Sequence, residues 1–354
     1  MARSEYYVDP LNGSDTTGDG LSDGTAWQTV QKALNSITKN TTDGDRINVK
    51  DTADDVLSAQ LDFSTIGNYD LAYGLLIQGY TSTAGDGGIG GISGGGTTGI
   101  IVTQRNYIAF KDMHLHNTGA NIIVNVRRGA IDNCEFNNSS RTGDNVFCSE
   151  GTFTNCYVHD MGGTAVSISG GTARGNYIKS GPTHSMGYAV SIANFADVAF
   201  NIISLDDGAN GIELPGNPGI IHNNSILSDG TGTYGIYGAA NNYASSMFEN
   251  LIEGFSTGIF KTSRDYTYVA SNVAYNCTTA FDLNGCFAIG YDNTEPVGSP
   301  FSKSGSDTFA NRFTYFEPVS ANAGTNSSGN GSRGAVANPS GGGTTYSLHP
   351  LAYN

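Results

Sequence analysis

The chain has 354 residues, 38% of them apolar and 14% charged, with 49 Gly and 9 Pro. Asp and Glu outnumber Lys and Arg by 32 to 17, giving a formal net charge of −15 and a pI near 4.6. Such a surface repels phosphate backbones and anionic bilayers, which excludes nucleic acid as a general partner and leaves an acidic polysaccharide only where a local Lys/Arg cluster could hold it. Gly, Asn, Ser and Thr supply polarity without charge, a composition for many tight turns and not for a charged disordered chain. No run of about 18 apolar residues occurs, so no membrane insertion is expected. Cys134, Cys148, Cys156, Cys277 and Cys286 make an odd set without CxxC spacing, which rules out a complete disulfide framework and argues against a zinc site.

In chain order, Asp9, Asp15, Asp19 and Asp23 crowd a Gly-containing N-terminal loop. Their spacing does not fit a calcium-binding EF-hand, so turn chemistry is the expected role, with Ca²⁺ as the alternative and no other cofactor implied. Thr25 to Ile37 reads as an amphipathic helix, since Val30, Ala33, Leu34 and Ile37 follow the i, i+3, i+4, i+7 pattern. Ile47-Asn48-Val49 and Leu75-Leu76-Ile77 read as strands of two irregular coils, followed by a Gly-rich excursion over 83–97.

The segment Tyr6-Tyr7-Val8-Asp9-Pro10, Asn12-Gly13-Ser14-Asp15 and Gly18, followed by Ala26-Trp27-Gln28-Thr29-Val30-Gln31-Lys32-Ala33, resembles the N-terminal cap of pectate-lyase-like parallel β-helix proteins. The resemblance implies a right-handed parallel β-helix and a leaning toward carbohydrate. That superfamily holds lyases, hydrolases, epimerases and phage tailspikes, so the fold does not imply catalysis.

From Gly99 onward an apolar–x–apolar phrase recurs, its first members 20 to 24 residues apart: Ile100, Ile122, Val146, Val166, Val190, Ile212, Ile236, Ile259 and Phe281. A second column runs Met113, Cys134, Cys156, Asn176, Asn201, Asn224, Asn250, Asn272, with apolar residues two positions after and three positions before each member. Period-two alternation repeated in phase over eight coils predicts short stacked strands, about ten coils in all, with rungs ~4.8 Å apart. The five Asn are expected to form a buried ladder, because a buried amide is tolerable only when its bonds are met by stacked neighbours. Cys134 and Cys156, on adjacent rungs, are expected to be reduced. The organisation expected is an N-terminal loop and capping helix over 1–45, irregular coils over 46–98, regular coils over 99–290, and a C-terminal cap with a Gly/Ser/Asn-rich arm over 291–354.

Chemistry is harder to place. Asp206 and Asp207, with Asp229 one coil later and Glu213 on the next strand, offer carboxylates for glycosidic cleavage. Arg174, Lys179 and His184 share a coil and could serve a lyase as base and uronate clamp. If the chain is an enzyme, Asp206, Asp207, Glu213 and Lys179 are its catalytic candidates. However, the Asn-Thr-Asp and Gly-His-Gly elements of polygalacturonase-like enzymes, the Arg-x-Pro-x-x-Arg of pectate lyases and the Asp-Pro-His-Glu of alginate epimerases are all absent. His114, His116 and His159 lie on neighbouring coils without a carboxylate spacing that completes a metal site. Ile101, Ile123 and Phe147, with Tyr237 and Phe260 further on, are expected to point outward as an apolar interface stripe.

The residues Met1 to Val8 contain no apolar signal-peptide core, as in a mature secreted protein or a phage protein released by lysis. Together these features predict a structural virion component, either a capsid decoration or a tailspike-like β-helix. Its partners would be other virion proteins, further copies of itself or surface glycan. The alternative is an extracellular polysaccharide lyase or glycoside hydrolase.

Overall fold

The structure, a computed structural model, describes residues 3–95, 100–116, 119, 123–206, 208–216, 218–238, 245–262, 266–283, 287–289, 293–299, 301–302 and 317–318. The chain is an all-β parallel solenoid with 4% helix, built from three parallel sheets, A, B and C, and dividing into compact units over 1–156 and 157–348.

In the first unit, sheet A stacks Ser4–Val8, Asp45–Lys50, Leu75–Tyr80, Ile108–Lys111, Ala130–Asp132 and Thr152–Thr154. Sheet B stacks Asp54–Val56, Gly90–Ser93, Met113–His116 and Glu135–Ser139. Sheet C stacks Ile101–Asn106, Val124–Arg127 and Asp144–Ser149. The core column Ile77, Phe110, Ile131, Phe153 is in register and fully buried, as the alternation requires. The excursion over 83–97 is less of a loop than its Gly content suggests, because Gly90–Ser93 is a strand of sheet B. The helix occupies Val30–Ser36, shorter than expected; Thr29 caps it by accepting from Lys32 N–H at 3.1 Å, and Asp15 accepts from the N–H groups of Gln28 and Thr29. Val30, Ala33 and Leu34 are its buried face. Trp27 is also buried, stacking on Tyr6 and donating from its indole N–H to Gly18 O at 3.0 Å.

In the second unit, sheet A contains Thr172–Arg174, Ala196–Ala199, Gly219–His222, Ser246–Phe248, Tyr266–Ala270 and Phe287–Ile289. Sheet B runs from Tyr157–Met161 through Tyr177–Lys179, Ile202–Leu205, Ser225–Ser228 and Leu251–Glu253 to Val273–Tyr275. Sheet C runs from Gly163–Ser169 through Met186–Ala193, Asn210–Leu214, Tyr234–Gly238 and Thr257–Lys261 to Thr279–Asp282. Ile178, Ile203, Ile226, Ile252 and Ala274 form the expected in-register core column. The solenoid has about 7 turns, not the ten expected. The coil opening at Asp45 lacks a sheet C strand, and Ile101–Asn106, which closes the coil opening at Leu75, pairs with a register shift.

The Asn ladder is continuous. Asn176 donates from both its backbone N–H and its Nδ2 to Asn201 Oδ1, at 3.1 and 2.8 Å. Asn201, Asn224 and Asn250 repeat the pattern onto the next amide oxygen. Asn272 extends it to a sixth rung, Asn293, which the fading periodicity after residue 290 concealed. In the first unit, the equivalent thiols are free and bond carbonyls: Cys134 Sγ to Asp132 O at 3.3 Å and Cys156 Sγ to Thr154 O at 3.1 Å. Cys148 is also free, its thiol pushed up by burial to about 12; Cys286 lies outside the described residues.

The residue before each rung turns the chain with positive φ: Asp112, Asn133 and Asn155 in the first unit, Gly175, Phe200, Asn223, Glu249 and Ser271 in the second. Gly, Asn and Asp enter this region at least cost. Phe195, at another corner, has φ 63° while its side chain is 78% exposed. It therefore carries left-handed strain without packing to offset it. Phe195→Asn is expected to raise the unfolding free energy by about 0.5–1 kcal/mol, read from the midpoint of chemical denaturation.

One register expectation is corrected. Val124, not Ile122, pairs with Val146. Ile123, expected outward, is fully buried, and Asn125 takes the position beside Phe147. An unbroken run of three apolar residues fits period two in either phase, and a one-residue slip exchanges the faces. Ile101 pairs with Val124; its side chain, and Ile122, lie outside the described residues.

Candidate functional site

In the second unit, the outer column of sheet C reads Ser167, Ser191, Glu213, Tyr237, Phe260, Asp282. The Tyr237 and Phe260 rings are parallel, 6° between planes, with centroids 5.5 Å apart. Tyr234 packs on both, at 4.8 and 5.0 Å, and Tyr188 lies 6.3 Å from Tyr237. All four rings are half-buried. Asn210 positions Tyr234 by accepting its backbone N–H at 2.9 Å. Burial, and then the nearby charge of Glu213, push the Tyr188 hydroxyl up to about 12, so it remains a neutral donor. The result is a four-ring aromatic face beside a carboxylate and tyrosine hydroxyls. The first unit offers only a fragment of the expected stripe: Phe147 is half-buried on the strand Asp144–Ser149, Asn125 precedes it in the column, and Ile123 is in the core.

The catalytic candidates divide between sheets. Lys179 ends the sheet B strand Tyr177–Lys179, in register with His159 and Ser204. Asp206 follows the neighbouring sheet B strand and donates its backbone N–H to Ser180 Oγ at 2.5 Å. Glu213 belongs to the aromatic face of sheet C, and Asp207 lies outside the described residues. Asp229 is engaged in its own turn, accepting from Thr231 N–H at 3.0 Å and Thr231 Oγ1. Arg174 is on sheet A, paired with Asp197. There burial would raise the Asp197 carboxyl, but His222, 3.2 Å away, and Arg174 hold it below the usual range. His184 is bound into a corner by Asp160, whose Oδ1 accepts its backbone N–H at 3.1 Å. The Arg174, Lys179 and His184 of one coil therefore occupy sheet A, sheet B and a turn.

The aspartates of the N-terminal loop are likewise engaged by protein donors. Asp9 accepts from Leu11 and Asn12 N–H groups and from Thr52 Oγ1, Asp15 from the residues entering the helix, and Asp19 from Leu21 N–H and Thr25 Oγ1. Asp23 pairs with Lys50 and accepts the Tyr80 hydroxyl.

A different cluster in the first unit adds to two of the histidines weighed above a carboxylate that sequence reasoning missed, Asp54. His114 and His116 share the outer face of one sheet B strand, their rings stacked 4.7 Å apart at 13°. Asp54, two strands away, reaches His116 Nε2 with Oδ2 at 2.7 Å, and this bond holds its carboxyl below the usual range. His114 Nε2 lies 3.4 Å from Asn137 Oδ1. Only the register of the first coils brings Asp54 there. His159, grouped with these histidines by sequence spacing, belongs to the second unit and stacks on Tyr157 at 4.3 Å.

Comparison with known proteins agrees with this architecture. A family model described as a right-handed beta helix region matches residues 98–181. Among solved structures, pectate lyase Pel9A is similar at 12% identity and a TM-score of 0.50, covering 84% of this chain and 77% of that one. A GH136 lacto-N-biosidase from Eubacterium ramulus is similar at 10% identity and a TM-score of 0.49, covering 82% and 67%. No match was found among the curated proteins. The chain is a right-handed parallel β-helix.

Proposed function

We propose that this chain is a structural, glycan-binding β-helix of a virion, a capsid decoration or tailspike-like component that holds sugar without cleaving it. The observation that carries the reading is the aromatic face of Tyr188, Tyr234, Tyr237 and Phe260. The apolar C–H faces of a pyranose pack against aromatic rings, while its hydroxyls need partners at the rim, which Glu213 and the tyrosine hydroxyls supply. A stack of rungs holds the rings in a fixed row, so little freedom is lost when a rigid chain of sugars docks. Glu213 is committed to this face, away from the sheet that carries Lys179 and Asp206, which supports binding over cleavage. The fold leaves either role open. Partners within the virion would be other virion proteins or further copies of the chain.

Titration calorimetry against neutral and acidic oligosaccharides is expected to find a binder whose affinity falls about tenfold or more in Tyr237→Ala/Phe260→Ala. Lys179→Ala should leave that affinity unchanged, and antibody labelling should find the chain on purified virus particles. Incubation with pectin, alginate and chondroitin is expected to release neither unsaturated products nor new reducing ends. Activity that disappears in Asp206→Ala or Lys179→Ala would replace this reading with the polysaccharide lyase or hydrolase, which the adjacency of those two residues' strands favours.

A further inference from the structure

We propose that Asp54, His114 and His116 bind one divalent transition-metal ion, of which Zn²⁺ is the type. Their ligand atoms all lie within 4.8 Å of one another. His114 and His116 alternate on the strand Met113–His116, so both imidazoles stand on one face. Asp54 must cross an intervening strand to meet them, and the residue in register between Asp54 and His114 is Gly91. A Cβ at Gly91 would stand 1.8 Å from Asp54 Oδ1 and 2.8 Å from Asp54 Cγ. The missing side chain is therefore what allows the carboxylate to lean across the sheet toward the histidines.

The donor set selects the class of ion. Two imidazoles and one carboxylate suit Zn²⁺, Co²⁺ or Ni²⁺, whereas Ca²⁺ and Mg²⁺ prefer oxygen-only shells. With metal–ligand bonds of about 2.0–2.2 Å, tetrahedral ligand atoms lie about 3.4 Å apart. Asp54 and His116 are already closer, and the three ligand atoms all lie within 4.8 Å, so closure asks only for small side-chain rotations. Asn137, beside His114 Nε2 and 3.5 Å from Glu135 Oε1, provides the polar surroundings in which such ligands are oriented. Three protein ligands leave a position for water. The spacing argument made from the histidines does not reach this site, because its carboxylate comes from about 60 residues upstream of them. A bound ion would tie the three-residue strand Asp54–Val56, the first of sheet B, to the strand two rungs further along.

The test uses the full-length chain without an affinity tag, stripped by a chelator, titrated with Zn²⁺ by calorimetry and with Co²⁺ by visible absorption. The expected result is saturable binding of one ion per chain, Co²⁺ ligand-field bands and a higher melting temperature with Zn²⁺. His114→Ala and Asp54→Asn should each weaken binding about tenfold or more. Gly91→Ala should weaken it comparably although it removes no ligand, and His222→Ala should change nothing. Circular dichroism establishes that each variant is folded, with His116→Gln as the milder substitute if His114→Ala is not. Absence of saturable Zn²⁺ binding in the wild type, or affinity undiminished in folded His114→Ala, Asp54→Asn and His116→Gln, overturns the proposal.

Discussion

Asn224→Leu is expected to lower the unfolding free energy by about 4–5 kcal/mol, a large part of the stability of a typical domain. The substitution roughly conserves volume, so the loss is almost entirely polar. Asn224 Oδ1 accepts the Asn201 backbone N–H at 3.0 Å and Asn201 Nδ2 at 2.9 Å. Its own Nδ2 donates to Val198 O, His222 O and Asn250 Oδ1 at 2.9, 3.0 and 3.0 Å. Five bonds vanish, and the Asn201 backbone N–H on the rung below is left buried and facing a hydrocarbon side chain, while Asn201 Nδ2 keeps Ala173 O and Ala199 O. Each buried donor left unmet costs about 1–3 kcal/mol, far above the net value of one satisfied bond. The same change at Asn293, only half-buried at the end of the described ladder, should cost about 1–2 kcal/mol. Denaturant titrations monitored by circular dichroism separate the two. Equal losses at both positions would mean that the ladder's interior is no more demanding than its end.

That ladder also shows what could be read in advance. Asn176 to Asn272 were visible because one residue type recurs at coil spacing between two apolar columns, and a buried amide has one economical arrangement. The paired columns at Ile178 and Ile203 were visible for the same reason: burial forces period two, and stacking forces equal spacing. Where several apolar residues run together, as at Ile122-Ile123-Val124, the hydrophobic pattern loses its phase, and the face assigned to Ile123 was therefore wrong. The turn positions were legible only in part. Asp112, Asn133, Asn155 and Asn223 are residues that accept positive φ, but Phe200 and Glu249 adopt it under the constraint of the stack. Of the candidate sites, Tyr237 and Phe260 could be picked from one column, but Tyr188 and Tyr234 join them through ring contacts that strand alternation does not encode. Asp54 was beyond reach for a stronger reason. Its meeting with His116 depends on strand order, register and the absence of a side chain at Gly91, three facts that no local pattern contains.

Asp55→Asn is expected to stabilise the chain by up to about 3 kcal/mol at pH 8 and to be nearly neutral at pH 4. Asp55 is 4% exposed, and its Oδ2 accepts the Val30 N–H at the start of the helix at 2.8 Å. Burial raises its carboxyl from 3.8 to about 6; the Val30 bond opposes this, and the charge of Asp15 adds to it. A helix N-terminus favours an anion, but this helix has only seven residues and its first N–H supplies one bond, so desolvation wins. Because the folded-state value lies above the unfolded one, the folded chain holds this proton more tightly. The associated stability is fully present below pH 3.8 and is lost as pH rises through about 6. The displacement corresponds to about 3 kcal/mol. Asn keeps an oxygen for Val30 and never ionises, so it should behave like the protonated acid at every pH. Wild-type stability alone would not reveal this, because Asp54 and Asp197, held below their usual range, lose their contribution as pH falls. The difference between wild type and Asp55→Asn isolates the one group. Melting temperatures of the pair should diverge between pH 4 and pH 8, with the variant higher at the alkaline end. A constant gap would show that Asp55 does not titrate in that window, and would place the carboxylate in a better-solvated setting than its burial implies.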